Sequence, residues 1–358
     1  MVIDNLKQYD EFVIYGGQKI AVGAMVAIEE LTGRRPVCFA VGKSKGKPCY
    51  AVGNPEEIYD IPVRPIEEIS KDMFLIVAVP EMVQKEVLPF LEENGYHHVF
   101  SLASHEEHLL MSEYYRKAGI FPLAEMENDA GDGSKDFYLY EVKNDRDKPL
   151  DYHPELFPYE HPIQAGAELT DKSIAEIKDN TGVHISAKNR MYCEMSAVYW
   201  IWKNTDHDWI GIEHYRRHLL VKPEMLSDEV DAILTVPYIC YPHTVTQLLR
   251  YVSEDVLDAL LKALKELHPD KYEDYYNILY GKYQYNYNMV CARKEVFDNY
   301  CSWFFEITEY MEKTYGAEVP ELIETRAFSY VAEVLTNIYF MYHQRDLRIR
   351  HVEKEIYA

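Results

Sequence analysis

The chain has 358 residues, more than a single hydrophobic core normally uses, so its length predicts two domains. Hydrophobic residues make up 47% of the chain and charged residues 27%, which excludes a largely disordered or fibrous protein. The net charge of −23 excludes a broad nucleic-acid surface, because neutralising phosphates requires a basic face.

Two features bear on the cellular compartment. Residues 1–10 carry charges where a signal peptide needs an apolar run, and no stretch approaches ~20 consecutive apolar residues. The six cysteines include no C-x-x-C pair, so neither a disulfide framework nor a cysteine zinc site is expected. We therefore expect a cytoplasmic protein that contacts the inner face of the membrane, if at all, only peripherally.

Residues 1–124 alternate short apolar runs with helical segments, which is typical of a parallel α/β sheet. The predicted elements are strands at 12–15, 37–41, 74–79 and 98–102 and helices at 20–31 and 82–93. This order predicts a Rossmann-like N-terminal domain.

The turn after the first strand, Gly16-Gly17-Gln18-Lys19-Ile20-Ala21, occupies the place of a dinucleotide-binding G-x-G-x-x-G. Gln18 replaces its middle glycine, and the second strand runs into a lysine-rich loop at 42–47 where an acid for the ribose is needed. We therefore expect no nicotinamide cofactor. The lysines could hold a phosphate, or they could form a solvated loop.

Residues 125–135 contain two glycines and several acids without apolar periodicity, which predicts an interdomain linker. A second α/β domain is predicted over residues 136–358, with a helical C-terminal part. Its predicted elements are strands at 137–142, 209–212 and 230–236 and helices at 188–204, after Ser253, at 295–314 and at 320–342. Residues 149–166 are an irregular loop without an assigned element.

Several motifs follow one another in the second domain. They are Ile185-Ser186-Ala187-Lys188-Asn189, Cys193-Glu194-Met195-Ser196, Tyr199-Trp200-Ile201-Trp202-Lys203-Asn204 and His214-Tyr215-Arg216-Arg217. In this order they resemble a bacterial capsular and exopolysaccharide glycosyltransferase family whose domain was long catalogued as of unknown function. Its signatures are N-I-S-x-K-N, C-E-L-T-x-x-Y-W-x-W-K-N and H-Y-R-R, and the resemblance covers residues 137–335. This chain departs from them at His184, where the family has Asn, and at Met195-Ser196, where it has Leu-Thr.

The resemblance implies a hexosyltransferase-type glycosyltransferase with a GT-A-like α/β domain behind the Rossmann-like one. Such an enzyme moves a sugar from a nucleotide-sugar donor to a saccharide or lipid-linked saccharide acceptor in surface-polysaccharide biosynthesis. The resemblance leaves the donor sugar and the stereochemical outcome open.

Arg216 and Arg217 are the strongest candidates for donor binding. The diphosphate of a nucleotide sugar gains charge as the glycosidic bond breaks, so a transferase needs fixed positive charge or a metal there. The two arginines follow a buried strand, where open α/β sheets place ligands, and their planar forks fit phosphate oxygens. Alternatively, they form structural ion pairs with acids such as Glu194 or Asp208.

Other polar residues complete the candidate donor site. We predict that Asp179, His214 and Asn288 bind the donor, since Asn288 lies in a tyrosine-rich stretch that suits hydrogen bonding to a sugar. Where a GT-A transferase carries a metal-binding Asp-x-Asp, this chain has Glu213-His214-Tyr215. Glu213 and His214 could ligate a divalent metal, or the arginines could replace it.

Two acids are candidate catalytic residues. Glu333 could take the proton from an acceptor hydroxyl, or it could pair with Arg326 seven residues earlier on one helix face. Glu194 lies on the predicted helix at 188–204, where a buried carboxylate requires a partner. It could orient the site through His214 or an arginine, or lock the helix to the sheet.

Two other functions stay open at this point. The chain could be a nucleotide-sugar-modifying enzyme centred on the N-terminal domain, which nicotinamide binding would favour. It could also be a non-catalytic carbohydrate-binding or scaffold protein, because the Asp-x-Asp motif is absent.

Overall fold

The computed structural model describes residues 1–44, 47–48, 56–121, 131–152 and 154–357, without the side chains of 43–48. The chain divides into two compact units, Met1–Pro122 with Val236–Pro242, and Leu123–Thr235 with His243–Ala358. Most of the predicted linker at 125–135 and part of the lysine-rich loop at 42–47 lie outside the described residues. The predicted domain bounds 1–124 and 136–358 therefore stay a prediction.

The first unit is built on a mostly parallel sheet. Numbered along the chain, its elements are α1 (Val2–Leu6), β1 (Phe12–Tyr15), α2 (Lys19–Thr32), β2 (Phe39–Val41), β3 (Lys43–Ser44), β4 (Lys47–Pro48), β5 (Glu57–Ile58), β6 (Ile61–Pro65), β7 (Phe74–Val77), α3 (Glu81–Glu93), β8 (Val99–Ser101) and α4 (Ser104–Ala118). The strand order is β5-β6-β2-β1-β7-β8, and only the edge strand β5 is antiparallel to its neighbour. The predicted parallel α/β arrangement is confirmed.

The rest of the chain supplies the elements of the second unit. They are β9 (Phe137–Lys143), β10 (Glu160–Gln164), β11 (Ile177–Lys178), α5 (Asn189–Tyr192), α6 (Met195–Asn204), β12 (Trp209–His214), β13 (Arg217–Leu219), β14 (Ala232–Thr235), α7 (Val245–Leu248), α8 (Glu254–Leu267), α9 (Tyr272–Leu279), β16 (Tyr283–Gln284), β17 (Val290–Arg293), α10 (Lys294–Tyr315), α11 (Glu321–Glu324), α12 (Ala327–Tyr342), β18 (Ile349–Val352) and β19 (Lys354–Ile356). The remaining strand, β15 (Tyr238–Ile239), belongs to the segment of the first unit.

The central sheet of the second unit has the order β11-β10-β9-β12-β17-β14-β18. Every strand is parallel to the others except β17, which runs antiparallel to β12 and β14. The chain places β10 and β11 on one side of β9 and β12 on the other, so the strand order reverses between β9 and β12. The short strand β13 folds back from β12 and pairs with β19.

Apolar side chains from alternate strand positions bury one face of this sheet. Leu139 on β9, Trp209 on β12, Ile233 on β14 and Cys291 on β17 belong to one core cluster and are at most 2% exposed. Because successive strand side chains point to opposite faces, these positions fix the register of the sheet. The predicted α/β fold class is confirmed.

Three element predictions need correction. The predicted helix at 188–204 is interrupted at Cys193, whose φ of 48° is incompatible with a helix. The predicted helix at 320–342 is interrupted at Thr325, whose backbone is extended. The loop at 149–166 contains a strand, β10, which its proline content concealed.

No helix within the described ranges is long and apolar enough to cross a membrane. The five cysteines that the structure describes are free thiols, and all but Cys193 are buried.

Candidate functional site

The candidate site lies at the edge of the second sheet where β9, β10 and β12 end and β17 begins. Open α/β sheets bind ligands at the carboxyl ends of their strands where the strand order reverses, which here is between β9 and β12. The segments 144–147, 214–217 and 287–288 meet at this point, and we call them the switch-point edge.

Arg216 and Arg217 are both at this edge, in the tight turn that joins β12 to β13. His214 pairs with Arg217 across the turn, and Arg216 lies within it. The Arg217 guanidinium is 4.5 Å from the ring centroid of Tyr287. Among the described residues, neither guanidinium forms an ion pair with a carboxylate.

The alternative in which the arginines are structural ion-pair partners is therefore not realised. The carboxylate of Asp208 accepts the backbone N–H of Asp136, and the carboxylate of Glu194 accepts the side-chain amide of Asn288. Two half-buried guanidinium groups that pair with no described carboxylate are unusual in a chain with a net charge of −23.

His214 is a neutral imidazole with a defined tautomer. Its Nε2 donates to the carbonyl oxygen of Tyr287, at 2.5 Å, so Nδ1 carries the lone pair. Burial lowers the pKa of His214, and the neighbouring Arg217 and Arg216 lower it further, against an opposing effect of Glu194. At neutral pH the ring therefore adds no charge and can accept a hydrogen bond.

Glu194, His214 and Asn288, which the sequence predicted as site residues, come together here. Asn288 Nδ2 donates to Glu194 Oε1 at 2.8 Å, and Asn288 Oδ1 accepts the hydroxyl of Thr336 at 3.0 Å. Asn288 is only 3% exposed and has a left-handed φ of 54°. Its amide thus positions Glu194, and a direct role of Asn288 in sugar binding stays a prediction.

Glu333 lies on the face of α12 that contacts Cys193 and Asn288. Ser329 interacts with the thiol of Cys193, next to Glu194, and Thr336 binds Asn288. Positions 329, 333 and 336 share one face of a helix, so Glu333 lies between these two contacts. Arg326 precedes α12 as its N-cap residue, and its guanidinium contacts the hydroxyl of Ser329 and the ring of Tyr330.

Asp179 has a supporting position in this structure, and its role in donor binding stays a prediction. It has no exposed surface, and its carboxylate accepts four hydrogen bonds. The donors are the backbone N–H groups of Gly166 (2.8 Å) and Ala167 (3.0 Å) and the hydroxyls of Ser186 (2.5 Å) and Ser196 (2.7 Å). The I-S-x-K-N and C-E-M-S motifs therefore act partly as a buried support for the loop after β10.

Asp147 is a residue of this edge that sequence reasoning missed. Its carboxylate accepts the backbone N–H of Asn144 at 2.7 Å, in the loop after β9. Burial raises its pKa to about 6, although this hydrogen bond and the nearby Arg216 and Lys143 oppose the rise. A carboxyl group with a shifted pKa beside a free arginine indicates a functional position, but burial of this kind leaves no signal in the sequence.

Glu213 and His214 do not form the predicted metal pair. They are successive residues of β12 and point to opposite faces of the sheet. Glu213 is fully buried near His218 and Glu160, whereas His214 faces Tyr287. Burial raises the pKa of Glu213 to about 8. One metal ion therefore cannot be held by Glu213 and His214 together.

No curated protein sequence matches the chain. Its fold is similar to the apo structure of WbbM, a bifunctional glycosyltransferase, with a TM-score of 0.50 and 23% sequence identity. The similarity covers 62% of this chain and 45% of that one, so this chain spans less than half the length of WbbM.

One protein family matches more than half of the chain. The match runs over residues 151–345 and so includes Glu194, the turn with Arg216 and Arg217, and Glu333. The chain belongs to the family described as "Domain of unknown function (DUF4422)".

Proposed function

We propose that this protein is a glycosyltransferase that moves a sugar from a nucleotide-diphosphate donor to a saccharide acceptor. The observation that carries the proposal is the pair Arg216 and Arg217 at the strand-order reversal of an α/β sheet. Neither guanidinium pairs with a carboxylate in the described part of the chain. The similarity in fold to a bifunctional glycosyltransferase supports the same reaction class.

The arginines are the donor-binding groups in this proposal. Arg217 rests with its guanidinium over the ring of Tyr287, a contact that uses a π face and leaves N–H groups for phosphate oxygens. Bidentate hydrogen bonds from Arg216 and Arg217 would strengthen as the departing diphosphate gains charge. This differential binding lowers the barrier to transfer.

Two carboxylates, Glu333 and Glu194, are proposed to assist the transfer. Glu333, on the α12 face between Ser329 and Thr336, is the proposed general base for the acceptor hydroxyl. Glu194 is held by Asn288 and lies beside the neutral His214, which suits it to orient the sugar hydroxyls.

The acceptor and the pathway rest on the family resemblance and are part of the proposal. We propose a lipid-linked saccharide of a surface polysaccharide as the acceptor, met at the inner face of the membrane through peripheral contact. The donor is proposed to bind the second unit, without a nicotinamide cofactor.

A donor panel tests this function. We expect at least one UDP-, GDP- or dTDP-sugar to raise the melting temperature by several degrees. NAD and NADP are expected to leave the melting temperature unchanged. CMP-sugars, which carry a single phosphate, are the matched control and are expected to bind more weakly. With the binding donor, Glu333→Gln is expected to reduce kcat by at least ~100-fold at unchanged donor affinity. A shift with nicotinamide cofactors alone would contradict the proposal.

A further inference from the structure

Three buried side chains of the second unit surround one point behind the β12–β13 turn. Glu160 lies on β10, Glu213 on β12 and His218 on β13, and each is less than a tenth exposed. One potential ligand atom from each lies within 4.8 Å of the other two. We call these three residues the buried triad.

The distances within the buried triad are too long for hydrogen bonds. His218 Nδ1 is 3.5 Å from Glu213 Oε1 and 3.7 Å from Glu160 Oε1, whereas N–H···O bonds are about 2.7–3.2 Å. Glu213 Oε2 accepts the backbone N–H of Leu219, but Glu213 Oε1 is buried with no hydrogen-bond partner in the described part of the chain. An unsatisfied carboxylate oxygen thus faces an imidazole nitrogen.

The same distances suit atoms that share one metal ion. A tetrahedral ion with bonds of ~2.1 Å holds neighbouring ligand atoms roughly 3.4 Å apart, close to the two separations at His218 Nδ1. Histidine ligands usually direct their second ring nitrogen to a carboxylate, and His218 Nε2 is 3.7 Å from Glu141 Oε1. The four side chains therefore have the arrangement of a ligand set with its supporting carboxylate.

The charge balance also calls for a cation. Glu213 and Glu141 are directly opposite in the register of β12 and β9, where like charges destabilise a sheet, and Glu160 adds a third carboxylate. Lys143 Nζ lies 3.0 Å from Glu141 Oε2 and so compensates that carboxylate. Although burial opposes it, Glu141, Glu160 and Glu213 raise the pKa of His218 to about 10, so a proton on His218 is one source of positive charge. A divalent ion that takes the place of this proton would compensate the other two carboxylates.

We propose that Glu160, Glu213 and His218 bind one divalent transition-metal ion of the Zn²⁺ class. An imidazole with two carboxylates favours such an ion over Mg²⁺, which keeps several waters and is poorly suited to a buried pocket. The ion joins β10, β12 and β13 on the face of the sheet opposite to His214. It therefore stabilises the turn that presents Arg216 and Arg217 and is independent of the proposed reaction.

The test uses the full chain, stripped with EDTA and then incubated with Zn²⁺, with Mg²⁺ for comparison. We expect one Zn²⁺ per chain after gel filtration and a rise of several degrees in melting temperature that EDTA reverses. Glu213→Gln and His218→Gln are expected to lower Zn²⁺ affinity at least 100-fold. The control is His184→Asn, because His184 lies 3.5 Å from the single carboxylate of Glu168. It is expected to bind Zn²⁺ like the wild type.

Retention of less than ~0.1 Zn²⁺ per wild-type chain would overturn the proposal, as would unchanged Zn²⁺ affinity in the folded Glu213→Gln protein. A melting temperature that Zn²⁺ leaves unchanged in both the wild type and the Glu213→Gln protein would also overturn the proposal. That result would mean that Glu213 merely holds a proton. Should both variants fail to fold, the proposal is tested by Zn²⁺ retention and X-ray absorption of the wild type alone. The absorption spectrum is expected to show one nitrogen and two or more oxygens at ~2.0–2.2 Å from the zinc ion.

Discussion

Arg217 illustrates how an aromatic ring holds a cation in this site. Its guanidinium lies over the face of Tyr287, and the backbone carbonyl of the same tyrosine accepts the His214 hydrogen bond. Tyr287 has a φ of 75°, a left-handed conformation that is unfavourable for an aromatic residue. Strained backbone of this kind concentrates at functional sites, because packing elsewhere must compensate for it.

The residues of the site were predictable to different degrees. Arg216, Arg217, His214 and Glu194 could be named from sequence because they belong to recognisable motifs that follow strands and begin helices. Asp147 could not, because its shifted pKa arises from burial in the folded chain.

Asp147 makes a pH-dependent contribution to stability. The folded-state pKa of about 6 is above the ordinary value, so this group stabilises the folded chain most below about pH 4 and loses that contribution as the pH rises through 6. Arg216 and Lys143 favour its charged form, and Glu141 disfavours it.

We therefore expect the stability of Asp147→Asn, relative to that of the wild type, to rise by about 2 kcal/mol between pH 4.5 and pH 7.5. Urea unfolding at the two pH values measures the difference. Asp145→Asn, a neighbouring acid paired with Arg146, is the control. If the two proteins differed in unfolding free energy by the same amount at both pH values, Asp147 would not have the raised pKa.

At the scale of elements, the support around Asp179 joins the loop after β10 to the start of α6. Gly166 in that loop has a φ of 69°, and a Cβ there would lie 2.6 Å from the Asn189 side chain, so only glycine fits. Asn189 in turn donates to the hydroxyl of Ser196. The motifs thus fix the ends of β10 and α6 relative to each other.

Asp179→Ala leaves four buried donors without their acceptor and is expected to lower the free energy of unfolding by about 3 kcal/mol or more. Denaturant unfolding measures this loss. Asp171→Ala, an exposed acid of the same unit, is expected to change stability by less than about 0.5 kcal/mol. If Asp179→Ala kept wild-type stability and lost donor affinity instead, Asp179 would be a donor contact.

Element boundaries were predictable where the periodicity was uninterrupted. The helix predicted after Ser253 is α8, and the strand predicted at 209–212 is β12 with two more residues. The interruptions at Cys193 and Thr325 were not predictable, because apolar spacing continues across both positions.

At the scale of the whole molecule, the first unit is discontinuous in sequence. The segment Val236–Pro242 belongs to the first unit although it lies far along the sequence. Within that unit, Tyr115 donates to the Pro237 carbonyl, and Lys19 lies 4.5 Å from the ring centroid of Tyr238. A local sequence pattern cannot reveal such a long-range assignment.

Removal of residues 1–122 is therefore expected to expose Ile239 and Cys240, which are fully buried in the intact chain. We expect the shortened protein to bind a hydrophobic dye and to melt at a lower temperature than the full chain. Ile239→Ser in the shortened protein is expected to reduce the dye signal. A shortened chain that melts like the full protein and binds no dye would show that this segment needs no partner.

The central claim is that Arg216 and Arg217 bind the donor diphosphate, and titration calorimetry with the donor identified by the panel tests it most directly. Arg216→Ala and Arg217→Ala are each expected to weaken donor binding about 10- to 150-fold at unchanged melting temperature, because each removes charge-assisted hydrogen bonds. Arg345→Ala, an exposed arginine that precedes β18 at the opposite end of the sheet, is the control. Wild-type donor affinity in both stable arginine variants would contradict the account.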